Sequence, residues 1–274
     1  MNEIARDRWS RPLIIPEGGG DPVPYVRTST LAKSLDDQSN LMTWTARMTA
    51  VGLALSPHLM DRVASLANKH IDPVTDARRD LNGIVKDAKL AAGGSSAADI
   101  GTALHEMTEV IDSGAELKIV GGRWTSHLDA YVEATKHLQM LEMETFVVND
   151  QVQSAGTFDR LVRLPDGRVV VADLKTGKSD SDYPLGVATQ IAIYANGSRY
   201  NPETGERTPL HEDLDIDLGL LIHLPSKASP PRCTLYDLDL IRGWEAAQEA
   251  MKVRSIRAWK AVDLATERTR TEVA

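Results

Sequence analysis

The sequence predicts an α/β protein: a central sheet flanked by helices, with a helical addition on its N-terminal side. Three observations carry this expectation. Strand-like apolar runs follow one another between residues 141 and 175, and two of them meet at the turn signal Leu164-Pro165-Asp166-Gly167-Arg168. Helical spacing brackets those runs, with Ile100, Leu104, Met107 and Ile111 on one face before them and Gln190 and Tyr194 at i and i+4 after them. The chain has 274 residues, enough for one substantial core with peripheral elements or for two small domains.

Residues 1–27 are rich in Pro and Gly and read as an extended arm; Pro12, Pro16, Gly18, Gly19, Gly20, Pro22 and Pro24 all fall there. Residues 28–92 read as a helical section. Ser56-Pro57 and Asp72-Pro73 mark helix starts in it, because proline is tolerated at a first helical position. The run Ala91-Ala92-Gly93-Gly94-Ser95 breaks the pattern, which suggests a division into an N-terminal arm and helical section, 1–92, and a core with a C-terminal helix, 93–274. A helix follows at 97–112 with Ser96 as N-cap, then another at 123–140. Strands are expected at 141–148, 152–164 and 169–173, and a helix at 184–200. Further strands are expected near 216–223 and 233–238, before a closing amphipathic helix at 243–262. Residues 268–274 read as a frayed tail.

The most telling stretch is Val169-Val170-Val171-Ala172 running into Asp173-Leu174-Lys175. Side chains alternate on a strand, so Asp173 and Lys175 share one face and Leu174 takes the other. The polar turn Thr176-Gly177-Lys178-Ser179-Asp180 comes next. A carboxylate and an ammonium side by side at a strand end suit metal-assisted phosphodiester hydrolysis. Upstream, Gly156-Thr157-Phe158-Asp159 lies in the preceding strand, and folding the hairpin brings Asp159 towards Asp173. The pair Pro165-Asp166 belongs to the turn, where its carboxylate serves backbone geometry.

Taken in order, His105, Glu144, Gly156-x-x-Asp159, Asp173-x-Lys175 and Gln190-x-x-x-Tyr194 resemble the RecB-type branch of the PD-(D/E)XK nuclease superfamily. The resemblance is closest to small RecB-like exonucleases of actinobacterial phages, relatives of the CRISPR-associated RecB-type exonucleases. The motifs occupy residues 97–200, and the segments 25–35 and Trp44-Thr45-Ala46-Arg47 also resemble the N-terminal part of those phage proteins. The resemblance implies a restriction-endonuclease-like core with a mixed sheet. It implies that His105, Asp159, Asp173 and the backbone carbonyl of Leu174 ligate a divalent metal. Lys175 would orient or activate the water and stabilise developing charge. Gln190 and Tyr194 would position the DNA and the lysine, and Glu144 would stand beside the site. Each residue also has an ordinary role open to it. Asp159 and Glu144 read as solvated strand residues, His105 as a satisfied helix histidine, and Gln190 with Tyr194 as a surface pair. Two carboxylates and a carbonyl suit Mg²⁺ or Mn²⁺, and an imidazole tilts the preference towards Mn²⁺.

Cys233 is the single cysteine, which excludes an intramolecular disulfide and a multi-cysteine metal site. The four-cysteine iron–sulfur cluster of several RecB-type relatives therefore cannot form. A net charge of −8 argues against indiscriminate nucleic-acid binding and leaves the matter to local patches. Arg78 and Arg79, with Lys86 and Lys89, form one DNA-binding candidate; Arg254, Arg257 and Lys260 form another. Both also read as solvated helix faces. Trp9, Trp44, Trp124, Trp244 and Trp259 include candidate base-stacking platforms, although most read as core or groove-lining. His58, His70, His127, His137, His211 and His223 fit no metal-site spacing. There is no bilayer-length apolar run, signal-peptide pattern, ATPase phosphate loop or nucleophilic Ser or Cys motif, so cytoplasmic residence without a membrane partner is expected. The expected function is a metal-dependent DNA exonuclease of phage replication or recombination. The alternatives are a structure-specific endonuclease and a noncatalytic DNA-binding recombination module on the same fold. DNA is the expected partner, with a phage recombination or single-strand-binding protein as a second candidate.

Overall fold

A computed structural model describes residues 4–94, 96–117, 122–177, 182, 184–260 and 264–265. Strands β1 (Leu13–Ile14), β2 (Val23–Pro24) and β3 (Val26–Arg27) lead into α1 (Thr28–Ala32) and a 3-10 turn, Lys33–Leu35. Helices α2 (Ser39–Leu55), α3 (Pro57–Lys69), α4 (Pro73–Asp76), α5 (Arg78–Ala91), α6 (Ser96–Asp112) and α7 (Gly122–Thr135) follow. The remainder is β4 (Gln139–Asn149), β5 (Ser154–Arg163), β6 (Val169–Lys175), α8 (Leu185–Ala195), β7 (Ser198–Tyr200), β8 (Arg207–Thr208), β9 (Leu214–His223), β10 (Thr234–Asp239) and α9 (Leu240–Arg257).

The main sheet is eight-stranded and mixed, in the order β10-β9-β6-β5-β4-β7-β8 with β3 alongside β5. β6 runs parallel to β9, and β3 parallel to β5; the other pairs are antiparallel. Helices cover both faces. Val169 and Val171 pack with Val187, Ile191 and Ala192 of α8, and Val170, Ala172 and Leu174 pack with Leu104 of α6 and Leu128 and Tyr131 of α7. A strand covered on both sides has no solvent face to reserve for polar residues, which is why β6 is nearly continuous Val. At the β5–β6 hairpin, Asp166 accepts from the Arg168 N–H at 3.1 Å and pairs with its guanidinium, so it shapes the turn as expected.

Residues 4–35 pack with the core. β3 pairs with the start of β5, and Leu31 of α1 is buried with Ile193 of α8 and Ala247 of α9. Leu59, Ile84 and Ala88 of α3 and α5 form a separate small cluster outside the sheet.

Two expected helices end early. The one expected over 123–140 stops at Thr135, and Met140 already belongs to β4. The one expected over 184–200 stops at Ala195, and Ser198–Tyr200 is strand β7 on the edge of β4. A distant residue explains the second stop: the buried Asn149 amide donates to the carbonyls of Ile193 at 3.0 Å and Asn196 at 2.9 Å. Those carbonyls are among the ones a helix end leaves without partners. The closing helix begins at Leu240, capped by Asp239, whose side chain accepts from the Arg242 N–H. Of the expected features, the turn residues Lys178, Ser179 and Asp180 and the 268–274 tail lie outside the described residues, as does the Ser96 side chain expected to cap α6. Among the described residues, no helix is long and apolar enough to cross a membrane.

Candidate functional site

The site is a fork in the sheet. β5 and β6 pair from Arg163↔Val169 to Arg160↔Ala172, and the paired register stops before Asp159 and Asp173. Beyond that point the Asp159 carboxylate takes over from the backbone: the Leu174 N–H donates to Asp159 Oδ2 at 2.9 Å.

β5 also changes face at the fork. Phe158 and Leu161 pack in the same cluster, although residues three apart on a regular strand face opposite ways. Opposite them, the β4–β5 register passes from Met143↔Arg160 to Thr145↔Phe158 without a Glu144↔Asp159 pair, and Glu144 adopts φ +49°. A left-handed backbone costs a non-glycine residue about 1–2 kcal/mol. The interrupted pleat lets Asp159 and Arg160 both reach α6, with His105 Nδ1 3.6 Å from Asp159 Oδ2 and Arg160 Nε 2.6 Å from Asp112 Oδ2.

On β6 the expected alternation holds. Leu174 is buried among the α6 and α7 residues, while Asp173 forms an ion pair with Lys175 and accepts from Gln190 Nε2 of α8 at 3.1 Å. Tyr194, one turn after Gln190, is buried, and a Cβ at Gly156 would come within 2.8 Å of its hydroxyl and 3.1 Å of Thr28 Oγ1. Tyr194 thus braces the fork from inside the protein and offers no open face to a nucleic acid. Thr28, itself buried, shares a 3.0 Å hydrogen bond with Ser154 Oγ.

A cleft of about 660 Å³ opens over Lys175 and Gln190, walled by the start of α8 and by the segment carrying Lys33, Asp36, Asp37, Gln38 and Leu41. The N-terminal section therefore forms one side of the site. Arg78 and Arg79 stand exposed at the start of α5, do not line this cleft, and among the described residues have no hydrogen bond or ion pair to the site. His223 is buried with Nε2 2.8 Å from the Gly177 carbonyl, a satisfied rim histidine.

Negative charge is crowded at the fork. Burial raises the carboxyl pKa of both Asp159 and Asp173, and the Lys175 ammonium opposes the rise at each. Asp159 adds to the rise at Asp173, and Glu109 to that at Asp159. Glu144 is pushed up to about 7, first by burial and then by the charges of Asp159 and Glu109. Burial lowers His105 and so favours its neutral form, while Asp173 and a hydrogen bond to the Leu174 backbone pull the other way.

No group of three or more His, Cys, Asp and Glu side chains that could hold a metal ion is assembled among the described residues. The donor chemistry still fits a hard divalent cation. A buried and a part-buried carboxylate, both of raised pKa, a ring held towards its neutral form and the Leu174 backbone converge at one fork.

Three neighbours escaped the sequence reading: Glu109, Arg160 and Thr28. Glu109 carried a usable signal, since it lies four residues after His105 and faces the same way on a helix. Arg160 belongs to none of the motifs, and Thr28 is brought to the fork by the parallel pairing of β3.

No known protein-family model matches this chain, and no curated protein matches its sequence. The RecB-type resemblance stands on the motif residues and the N-terminal segments of this sequence.

Proposed function

We propose that the protein is a metal-dependent DNA exonuclease that hydrolyses phosphodiester bonds in phage DNA replication or recombination. One observation supports it above the rest: Asp159, Asp173, Lys175 and His105, from two strands and a helix, meet at one fork beside an open cleft. Ordinary surface residues spread over seventy positions have no reason to converge there.

Mg²⁺ or Mn²⁺ held by His105, Asp159, Asp173 and the Leu174 carbonyl would supply an acidified water and charge neutralisation at the phosphate. The chain's own residues do the rest. Lys175, partly exposed at the cleft, places a positive charge beside the attacked phosphate. Gln190 holds Asp173 in orientation through its amide and reaches the cleft where DNA would lie. Tyr194 and Thr28 fix α8 against β5 behind the fork. Glu144, with its pKa near neutrality, can exchange a proton at the edge of the site.

The test is digestion of end-labelled linear DNA and closed circles, with Mg²⁺, Mn²⁺ or chelator, by the wild type and Lys175→Ala. Metal-dependent loss of linear DNA with circles spared is expected, with the variant at least about 10²-fold slower while DNA binding is retained. Cut circles would point to an endonuclease. Binding without cleavage would point to a noncatalytic module, and equal rates for both proteins would remove Lys175 from the chemistry.

A further inference from the structure

We infer that Arg160 is a positioning residue, fixing helix α6 on strand β5 and so setting His105 against Asp159. Its kinetic consequence rests on the nuclease proposal; its geometric consequence does not. Arg160 is fully buried, immediately after Asp159 on β5. Its Nε donates to Asp112 Oδ2 at 2.6 Å and its Nη2 to Thr108 Oγ1 at 2.7 Å. Thr108 and Asp112 are one turn apart on α6. The Thr108 hydroxyl in turn donates to the backbone carbonyl of His105 at 2.9 Å. A continuous relay therefore runs from the residue beside Asp159 to the backbone of the histidine that faces Asp159. The far end is held as well, since the Tyr131 hydroxyl of α7 donates to Asp112 at 2.6 Å.

The chemistry of the group suits positioning. A buried ion pair contributes little to stability compared with well-packed apolar side chains of the same volume. A guanidinium does offer donors in fixed directions, so one side chain can grip two residues of a neighbouring helix at set distances. Among the described residues, Arg160 Nη1 is buried without a hydrogen-bond partner. Arg160 faces α6 by regular alternation, opposite Ala172 of β6, and the pleat interruption beside Glu144 brings Asp159 to the α6 side with it. The strand irregularity, the buried arginine and the placement of His105 thus form one device.

The test compares Thr108→Val, which keeps shape but breaks the relay, with Arg160→Lys, which keeps charge but loses the fork. Two readouts are taken: steady-state cleavage of linear DNA with Mn²⁺, and the NMR signals of the His105 ring. Both variants should lose about ten- to a hundredfold in kcat with KM within about twofold, the scale of a misplaced group. Both should shift the His105 ring signals while amide exchange in β6 and α9 stays as in the wild type. Wild-type kcat and wild-type ring signals in folded variants would overturn the proposal. So would a loss of kcat accompanied by faster exchange throughout the sheet, which marks a merely structural residue. Should the wild type cleave no DNA, the nuclease proposal falls by itself, and the His105 ring signals alone decide the role of Arg160.

Discussion

The Tyr194 hydroxyl occupies the space that a side chain at position 156 would need: a Cβ on Gly156 would lie 2.8 Å from it. The glycine of the Gly156-x-x-Asp159 motif is thus explained by close approach. Its absent side chain admits a phenol that locks α8 onto β5 three residues before Asp159.

Gly156→Ala should therefore destabilise the fold by about 1–3 kcal/mol, the usual cost of overpacking a core. Tyr194→Phe removes the oxygen that collides and should recover part of the loss in the double variant, a non-additivity expected of residues in contact. Urea midpoints of the four proteins measure this. Additive effects would mean that the two residues do not meet.

Asp112 is the anion that balances a fully buried Arg160. Removing one partner of a buried pair leaves the other uncompensated, so Asp112→Ala should cost about 3–5 kcal/mol in chemical denaturation. Replacing both with apolar residues of similar volume should recover most of that. A loss below about 1 kcal/mol for the single variant, the scale of an exposed pair, would show that water reaches Arg160.

Much of this architecture was legible in the sequence, for identifiable reasons. β6 announces itself because a doubly covered strand is apolar throughout, and the β5–β6 turn because Pro, Asp and Gly fit few other conformations. The alternation that puts Asp173 and Lys175 on one face is a property of any strand. The end of α8 was not legible, because it depends on the Asn149 amide from β4 and on Gly197, where any Cβ would collide with Val147. Strands β3, β7 and β8 are two or three residues long, too short for a period to show. The face taken by Asp159 was hidden for a related reason: the pleat is broken beside Glu144, so the rule of two puts Asp159 on the side of Leu161.

At the other end of β4, Asp150 accepts from the Tyr25 hydroxyl at 2.6 Å and from Arg207 Nη2 at 2.9 Å, tying the N-terminal arm and β8 to the sheet. Burial acts to raise its pKa, but the bonds from Arg207 and Tyr25 prevail and hold it below the ordinary value. A depressed folded-state pKa contributes stability above the unfolded value, about 3.9, and loses it as pH falls through the folded one. Asp150→Asn should be clearly less stable than wild type at pH 7, with the gap narrowing from about pH 4 downward. Denaturant midpoints at pH 7 and pH 3 test the sign. A gap that widens in acid would reverse the assignment.

The fork should also respond to divalent ions in a stability measurement that involves no DNA. Asp159 and Asp173 are held with raised pKa values because burial, with the charge of Glu109 at Asp159 and of Asp159 at Asp173, exceeds what Lys175 supplies. A cation that binds only the folded state adds stability by linkage, about 2.7 kcal/mol at a hundred times its Kd. Mn²⁺, and Mg²⁺ at higher concentration, should raise the melting temperature of the wild type, and chelator should reverse the rise. Asp159→Asn keeps the shape of the side chain and can still accept from the Leu174 N–H, yet lacks the charge, so its melting temperature should respond little to either ion. Equal shifts in wild type and variant would place the ion elsewhere on the protein. No shift in the wild type at millimolar Mn²⁺ would leave the fork without a bound metal and remove the chemistry proposed for it.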